Sequence, residues 1–222
     1  MWIKDAFCIA HRLVEEMRPH CERVEIGGSI RRGCQEVKDI EIIVVPRRQP
    51  GEVIDLFGTT EEVNLLHSWA LDAEARKELR WIKPNTSEVI PWPTKPEGKY
   101  WRGLVRETVK LDLFIARPDN FGLIYLIRTG HRDFSAAVLG HAKRNTRYQT
   151  ESSYFDEHEI KNRGDAEGYL VEKARWGRRV ETREESDVFE LLELEFVEPR
   201  ARVGYESLKM KRVAAPVVAT AL

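Results

Sequence analysis

The sequence is poor in cysteine, in long apolar runs and in net charge. Its three cysteines, Cys8, Cys21 and Cys34, lack the short paired Cys or His spacings of structural zinc sites, which argues against a zinc-binding domain. Neither a signal-peptide pattern nor a membrane-length apolar run is found, and with the sparse cysteines this predicts a reducing, cytoplasmic setting without a membrane partner. With 36 basic and 37 acidic residues the net charge is -1, so nucleic acid could be bound only through local clusters of positive charge.

Two common glycine-rich phosphate-binding motifs are missing as well. The chain contains neither G-x-x-x-x-G-K-[ST] nor G-x-G-x-x-G, which argues against a P-loop and a dinucleotide-binding fold. It contains instead the stretch VEIGGSIRRGCQEVKDIEIIVVP at residues 24–46, where paired glycines precede two acidic residues inside an apolar run. This stretch is the first candidate for a functional site.

The acidic residues of that run predict a metal site. Residues two apart in a strand share a face, so Asp39 and Glu41 project together while Ile40 and Ile42 point the other way. Neighbouring carboxylates repel each other, and a divalent cation relieves the repulsion. Asp112 lies alone in a second apolar run, KLDLFIA, and if the two strands are neighbours the three carboxylates converge. Such oxygen ligands suit Mg²⁺ and phosphoryl transfer.

The residues just before the acidic pair predict a phosphate cradle. Gly27 and Gly28 permit a tight turn, and the backbone amides of Gly28 and Ser29 would face phosphate oxygens at the start of a short helix. Arg31 and Arg32 add positive charge. Cradle and carboxylates together predict a site that holds a triphosphate against Mg²⁺.

The pattern of apolar residues and turn residues predicts the chain's organisation. Helical spacing over residues 3–17 predicts an amphipathic helix, and the runs KYWRGLV and ETVKLDLFIA predict two strands joined by a turn near Arg106. We expect a first domain at 1–118 with an insertion at about 46–99, a second at 119–205, and a flexible tail at 206–222.

Two T-x-x-E patterns predict the first residues of further helices. Thr59 with Glu62 would form one capping box, and Thr182 with Glu185 would form another. The first would begin a helix inside the insertion, and the second a helix in the second domain.

The order GGSIRRG, DIEI and a distant LDLF resembles the palm of the DNA polymerase beta, or family X, nucleotidyltransferases. Further stretches are similar to successive parts of their palm and thumb: FGLIYLIRTGHRDFS, AKRNTRYQTESSYF and EESDVFELLELEFVEPRAR. The resemblance covers roughly residues 3–203, without the amino-terminal lyase domain of that family. It implies an α+β fold, a nucleotidyltransferase palm with a mixed sheet and helices on one face, followed by a small α+β thumb.

The resemblance also implies roles for individual residues. Asp39, Glu41 and Asp112 would be the catalytic carboxylates that hold two Mg²⁺ ions, with Mn²⁺ as a substitute, for attack of a primer 3′-hydroxyl on the α-phosphate of a nucleoside triphosphate. The nucleotide-binding residues would be Gly28, Ser29 and Arg32 at the phosphates and Thr129 and Gly130 beside the sugar and base. The implied partners are a nucleoside triphosphate and DNA, as primer-template or gapped duplex.

This chain departs from the family pattern at three places. Glu41 stands where these polymerases usually have Asp, and its longer side chain would move a bound metal. Ile127 and Arg128 stand before the Thr-Gly turn in place of an aromatic pair that helps to exclude ribose. His131 and Ser135 differ from the residues expected near the base. The second and third departures leave the preferred nucleotide open.

Local clusters of positive charge in the second domain predict DNA contacts, with solvated surface charge as the alternative. The candidate DNA-binding residues are Arg128, Arg132, Lys143, Arg144, Arg147, Arg178 and Arg179. The leading hypothesis is a minimal family X-like DNA polymerase. The alternatives are a nucleotidyltransferase acting on an RNA, small-molecule or protein acceptor, and a catalytically weak protein that binds nucleic-acid ends.

Overall fold

The computed structural model describes most of the chain, namely residues 1–53, 60–83, 88–90, 98–158, 166–174 and 176–211. The first half contains α1 (Ile3–Met17), β1 (Cys21–Ile26), α2 (Gly28–Arg31), β2 (Asp39–Pro46), β3 (Arg48–Val53), β4 (Thr60–Asn64), α3 (Leu66–Ala75), β5 (Leu79–Ile82), β6 (Tyr100–Val105) and β7 (Val109–Ile115). The second half contains α4 (Phe121–Thr129), α5 (Arg132–Asn145), β8 (Tyr148–Thr150), α6 (Glu151–Glu157), β9 (Leu170–Glu172), β10 (Arg179–Val180) and α7 (Glu185–Leu191).

A five-stranded mixed sheet forms the first half, in the order β1-β2-β7-β6-β5. β2 and β7 are parallel neighbours at its centre, and the other pairs are antiparallel. Both faces of β2 are used, because successive side chains point to opposite sides. Ile40, Ile42 and Val44 join a core with α1 and α3, whereas Ile43 and Val45 pack on the other face with α4.

The second half packs around its own apolar cluster. A three-stranded antiparallel sheet in the order β10-β9-β8 is joined by α4, α5 and α7, which contribute buried residues such as Leu126, Phe134 and Val188. Both halves are therefore mixtures of helix and strand, and the predicted α+β fold class is confirmed. In the described part of the chain, none of the helices combines the length and the apolar character needed to cross a lipid bilayer.

Both predicted capping boxes are wrong. Thr60–Asn64 is a strand and α3 begins only at Leu66, while Thr59 lies outside the described residues. α7 does begin at Glu185, but its capping box is made by Glu184 and Asp187. Thr182 instead donates its backbone N–H to the Asp119 carbonyl, and its own carbonyl accepts from the Gly122 N–H. These two bonds connect the segment before α7 to the start of α4.

The predicted tail at 206–222 is partly paired with the segment that follows α7. Lys209 accepts a hydrogen bond from Glu195, Lys211 donates to Glu193, and Met210 forms a bridge with Leu194. Residues 212–222 lie outside the described residues.

Candidate active site

Three carboxylates share one face at the centre of the sheet. Glu41 on β2 lies directly opposite Asp112 on β7 in the parallel register, and Asp39 is two residues before Glu41 on the same side. Further along this face the residues become apolar, and Ile43 and Phe114 are buried with α4. The face therefore has an apolar half covered by a helix and an acidic half beside it.

Burial and neighbouring negative charge raise the proton affinity of Glu41 and Asp39. Burial, followed by repulsion from Asp39 and Asp112, raises the pKa of Glu41 to about 7. Burial and the charge of Asp112 also raise the pKa of Asp39 above its ordinary value. Since like charges are held together here at a cost in free energy, the acidic half of the face is a site for positive charge.

Asp112 already has a cationic partner. Nε and one terminal nitrogen of Arg102 donate to Oδ1 and Oδ2 of Asp112, each at 2.7 Å, and the Tyr100 hydroxyl donates to Oδ1 at 2.7 Å. Arg102 lies opposite Asp112 in the antiparallel β6–β7 register. The hydrogen bond to Asp112 raises the pKa of Arg102, whereas burial, aided by its own bond to Asp112, raises that of Tyr100.

The donor chemistry at this face fits Mg²⁺, but the present arrangement is incomplete as a metal site. Carboxylate oxygens are the protein ligands that Mg²⁺ uses, and Asp39, Glu41 and Asp112 supply them. Among the residues that the structure describes, however, no three acidic, histidine or cysteine side chains are grouped so that they could hold a metal ion. The sequence did not predict the fork from Arg102, that is, its two hydrogen bonds to the Asp112 carboxylate. The pairing of an Arg and an Asp on neighbouring strands follows only once their register is known.

The glycine turn lies against the carboxylates. Gly28 has a φ of +59°, which favours glycine, and a side chain there would collide with the Glu41 carboxylate. Gly27 donates its backbone N–H to the Glu41 carbonyl at 2.8 Å. Ser29 follows in α2, so the predicted cradle and the acidic pair are next to each other in space.

The predicted nucleotide-binding residues of the two halves also meet. A terminal nitrogen of Arg32 donates to the Thr129 carbonyl at 2.5 Å, and Arg31 donates to the Thr129 hydroxyl at 2.9 Å. Thr129 is fully buried at the end of α4, followed by the half-buried Gly130. The arginine predicted to contact phosphate thus holds the Thr-Gly turn in this structure.

A buried ionic cluster, missed by the sequence analysis, joins α2 to the end of the second half. Arg31 and Arg202 both form two hydrogen bonds to the Glu185 carboxylate, at 2.6–3.1 Å, and Arg202 is completely buried. Burial alone would raise the pKa of Glu185, but the bonds from Arg31 and Arg202 outweigh it and lower the pKa. A buried charge needs a partner, but Arg31 lies 154 residues from Glu185 in the sequence, so no local pattern could reveal this cluster.

The seven predicted DNA-binding cations fall into two groups: Arg128 at the acidic face, and six others. Arg128 packs over the Phe114 ring at 4.1 Å, and its charge reaches Glu41, where it opposes the rise in pKa. It therefore lies at the acidic face. The other six have their neighbours within the second half: Lys143 pairs with Glu157 at 2.8 Å, Arg178 with Glu172 at 3.3 Å, Arg179 with Glu151 and Glu167, Arg147 donates to the Tyr148 hydroxyl, Arg144 lies beside Gly140, and Arg132 is 94% exposed near Asp133.

This distribution weakens the predicted basic surface. Three of the seven cations form ion pairs of 3.3 Å or shorter with acidic side chains of the same half. Arg132, Arg144 and Arg147 remain the cations best placed to meet an external polyanion. Any such contact would depend on these few side chains.

The mixed sheet with its acidic face, followed by the smaller α+β half, has the palm and thumb fold of polymerase beta-like proteins. The chain is similar to Leishmania infantum polymerase beta in a ternary gap complex, with a TM-score of 0.64 and 19% identity over 91% of this chain and 70% of that one. It is also similar to the same protein in a ternary P/T complex, with a TM-score of 0.61 and 19% identity over 91% and 76% of the two chains. No family model and no curated protein sequence matches the chain. At this identity the likeness shows the fold alone.

Proposed function

We propose that the protein is a DNA-directed nucleotidyltransferase, a minimal family X-like polymerase that adds nucleotides from deoxynucleoside triphosphates to a primer 3′-hydroxyl. The observation that carries this proposal is the juxtaposition of Asp39, Glu41 and Asp112 on one sheet face with the Gly28 turn against Glu41. A triphosphate needs both features, an anion-binding backbone and carboxylates for its cations.

Asp39, Glu41 and Asp112 would hold two Mg²⁺ ions, or Mn²⁺ in their place. Bound there, the metal would neutralise charge on the phosphates and favour ionisation of the attacking hydroxyl. The raised pKa of Glu41 supports this assignment, because burial and then the charges of Asp39 and Asp112 raise it, and a bound cation would offset both effects. Asp112 would have to give up part of its hydrogen bonding to Arg102 to take this role.

The phosphates would be bound by the backbone of Gly28 and Ser29 and by Arg32. Arg32 already points to the Thr129 carbonyl, so its guanidinium lies between α2 and the Thr129–Gly130 turn, where we place the sugar and base. Arg128 adds a second positive charge near Glu41. These residues orient the nucleotide, and in-line attack depends on that orientation.

The ternary gap and P/T complexes of Leishmania infantum polymerase beta support DNA as the partner, and the exposed Arg132, Arg144 and Arg147 are the candidate contacts to the DNA backbone. A second candidate function is binding of nucleic-acid ends with weak catalysis. It is favoured by one observation, the occupation of both Asp112 oxygens by Arg102.

The test is single-nucleotide extension of a labelled primer in a short-gap duplex with Mg²⁺. We expect the wild type to add the complementary deoxynucleotide and Asp112→Asn to lose nearly all extension. Arg80→Gln, which removes an exposed cation paired with Glu107 on the edge of the sheet, is the matched control and should extend normally. Addition of every nucleotide would indicate an end-extending transferase. Binding of the duplex without extension would favour the second candidate, and transfer to RNA, a small molecule or a protein would replace the DNA acceptor.

A further inference from the structure

Asp112 is the most heavily hydrogen-bonded of the three carboxylates. Oδ1 accepts from both Arg102 and Tyr100, and Oδ2 accepts from Arg102. A carboxylate oxygen has about two lone-pair directions, so Oδ1 is saturated and Oδ2 keeps one. The side chain is also only 8% exposed, which restricts the directions from which a ligand could reach it.

Arg102 is held opposite Asp112 by the strand pairing of the sheet. Arg102 and Asp112 are cross-strand neighbours in the regular β6–β7 ladder, and Tyr100 lies two residues earlier on the same face, stacked on Phe114 at 5.2 Å. A bidentate Arg–carboxylate pair with both distances at 2.7 Å is among the stronger ionic contacts in proteins. The register of the folded sheet therefore fixes the pairing of Arg102 with Asp112.

This pair and a metal ion compete for the same atoms. Mg²⁺ binds oxygens at about 2.0–2.1 Å and requires a free lone pair on each, and the guanidinium adds repulsion for any cation at this face. The charge of Arg102 also acts on Asp39, so its effect is not confined to Asp112. The positive charge that stabilises the carboxylates in the folded chain thus opposes the cation that they would bind in catalysis.

We infer that Arg102 is a positioning residue that holds Asp112 away from metal coordination and thereby limits the metal affinity of the site. This inference rests on the proposed function, because it assigns Asp39, Glu41 and Asp112 as metal ligands. Metal binding through Asp112 requires the fork from Arg102 to open at one oxygen or more. Arg102 consequently sets how much metal the protein holds before substrate is bound.

The experiment measures Mn²⁺ binding to the full chain by electron paramagnetic resonance, without DNA or nucleotide. We expect Arg102→Gln, which removes the charge and the fork, to lower the dissociation constant by about fivefold or more. Arg102→Lys keeps the charge but cannot form two parallel hydrogen bonds to the carboxylate, so its Mn²⁺ affinity should lie between those of the wild type and Arg102→Gln. Arg80→Gln, which removes a cation paired with Glu107 at the sheet edge, should bind Mn²⁺ as the wild type does.

Thermal unfolding shows whether each variant is folded, and Tyr100→Phe provides a milder change. It removes one donor from Oδ1 while leaving the fork, and we expect a gain in Mn²⁺ affinity of about twofold. Unchanged or weaker Mn²⁺ binding by folded Arg102→Gln, with clear binding by the wild type, would overturn the inference and leave the proposed function standing. If neither the wild type nor any variant binds Mn²⁺, both the metal assignment and the role of Arg102 fail.

Discussion

Glu41 and Asp112 lie directly opposite each other on the parallel strands β2 and β7, with like charges at adjacent positions of a half-buried face. From Ile42 onward the same register brings apolar residues together. The pair therefore reduces the stability of a sheet that is otherwise well packed. A concentration of charge that costs stability is common at functional sites, where a bound ligand compensates for it.

The first prediction concerns Glu41→Gln. The folded pKa of about 7 lies above the ordinary 4.5, so the folded protein binds a proton more tightly than the unfolded chain does. Below about pH 4.5 both states are protonated and the residue has no effect. Between pH 4.5 and 7 stability falls as pH rises, and above 7 the full penalty is present. Glu41→Gln should raise the free energy of unfolding by about 1–3 kcal/mol at pH 8.

The measurement is urea unfolding of wild type and Glu41→Gln with a metal chelator at pH 4 and pH 8. The stabilisation should be present at pH 8 and small at pH 4. Equal stability of the two proteins at both values would show that Glu41 is not under electrostatic strain. The same variant should be inactive in primer extension, since an amide is a poorer ligand for a hard cation.

A second prediction tests the contact between the glycine turn and the carboxylates. Gly28→Ala places a methyl group against the Glu41 carboxylate at a residue with φ +59°, and we expect it to lower the free energy of unfolding by about 1–3 kcal/mol. Gly140→Ala is the matched control. Gly140 lies inside α5 beside the end of the Arg144 side chain, which can move, so alanine there should be neutral or stabilising. Loss of stability by both variants in chemical denaturation would contradict this explanation.

Much of the central sheet was predictable because its signals are local. Alternation placed Asp39 and Glu41 on one face, the turn near Arg106 separated β6 from β7, and both expectations are confirmed. The adjacency of β2 and β7 was a hypothesis that the sequence could only state conditionally, because the residues between them include β5 and β6. Strand order depends on contacts between distant segments, which a pattern in one segment does not contain.

The partners of individual charges were less predictable for the same reason. Arg102 stands ten residues before Asp112, and Arg31 is 154 residues from Glu185. The capping boxes show a related limit: Thr59-x-x-Glu62 has the right composition, but the pairing of β4 with β3 decides the local structure. The sequence alone does not distinguish an arginine that is exposed to solvent from one that pairs with a glutamate.

The third prediction concerns the cluster that joins α2 to Arg202. The pKa of Glu185 is lowered by Arg31 and Arg202, so its contribution to stability is present above its unfolded pKa near 4.5 and is lost as pH falls through the lower folded pKa. Glu185→Gln leaves two buried or half-buried guanidinium groups without their counter-charge. We expect it to cost about 3–5 kcal/mol at pH 7, and less at pH 3.

Chemical denaturation at the two pH values measures this difference. Glu181→Gln removes an exposed carboxylate paired with Arg183 and should change the free energy of unfolding by less than about 0.5 kcal/mol. A loss for Glu185→Gln that does not diminish in acid would indicate that packing, not charge, makes the residue important.

The last prediction separates the cations that are available to DNA from those that are already paired. Arg132 is 94% exposed, whereas Lys143 is held by Glu157 at 2.8 Å. If Arg132 contacts a phosphate, Arg132→Gln should weaken binding of a gapped duplex uniformly across sequences and reduce the slope of log affinity against log salt by about 0.7–0.9. Lys143→Gln should change that slope less, because its charge is partly neutralised in the free protein. Fluorescence anisotropy at several salt concentrations gives both slopes. Equal reductions would mean that the ion pair with Glu157 opens on binding, and no reduction in either would place the DNA on another surface.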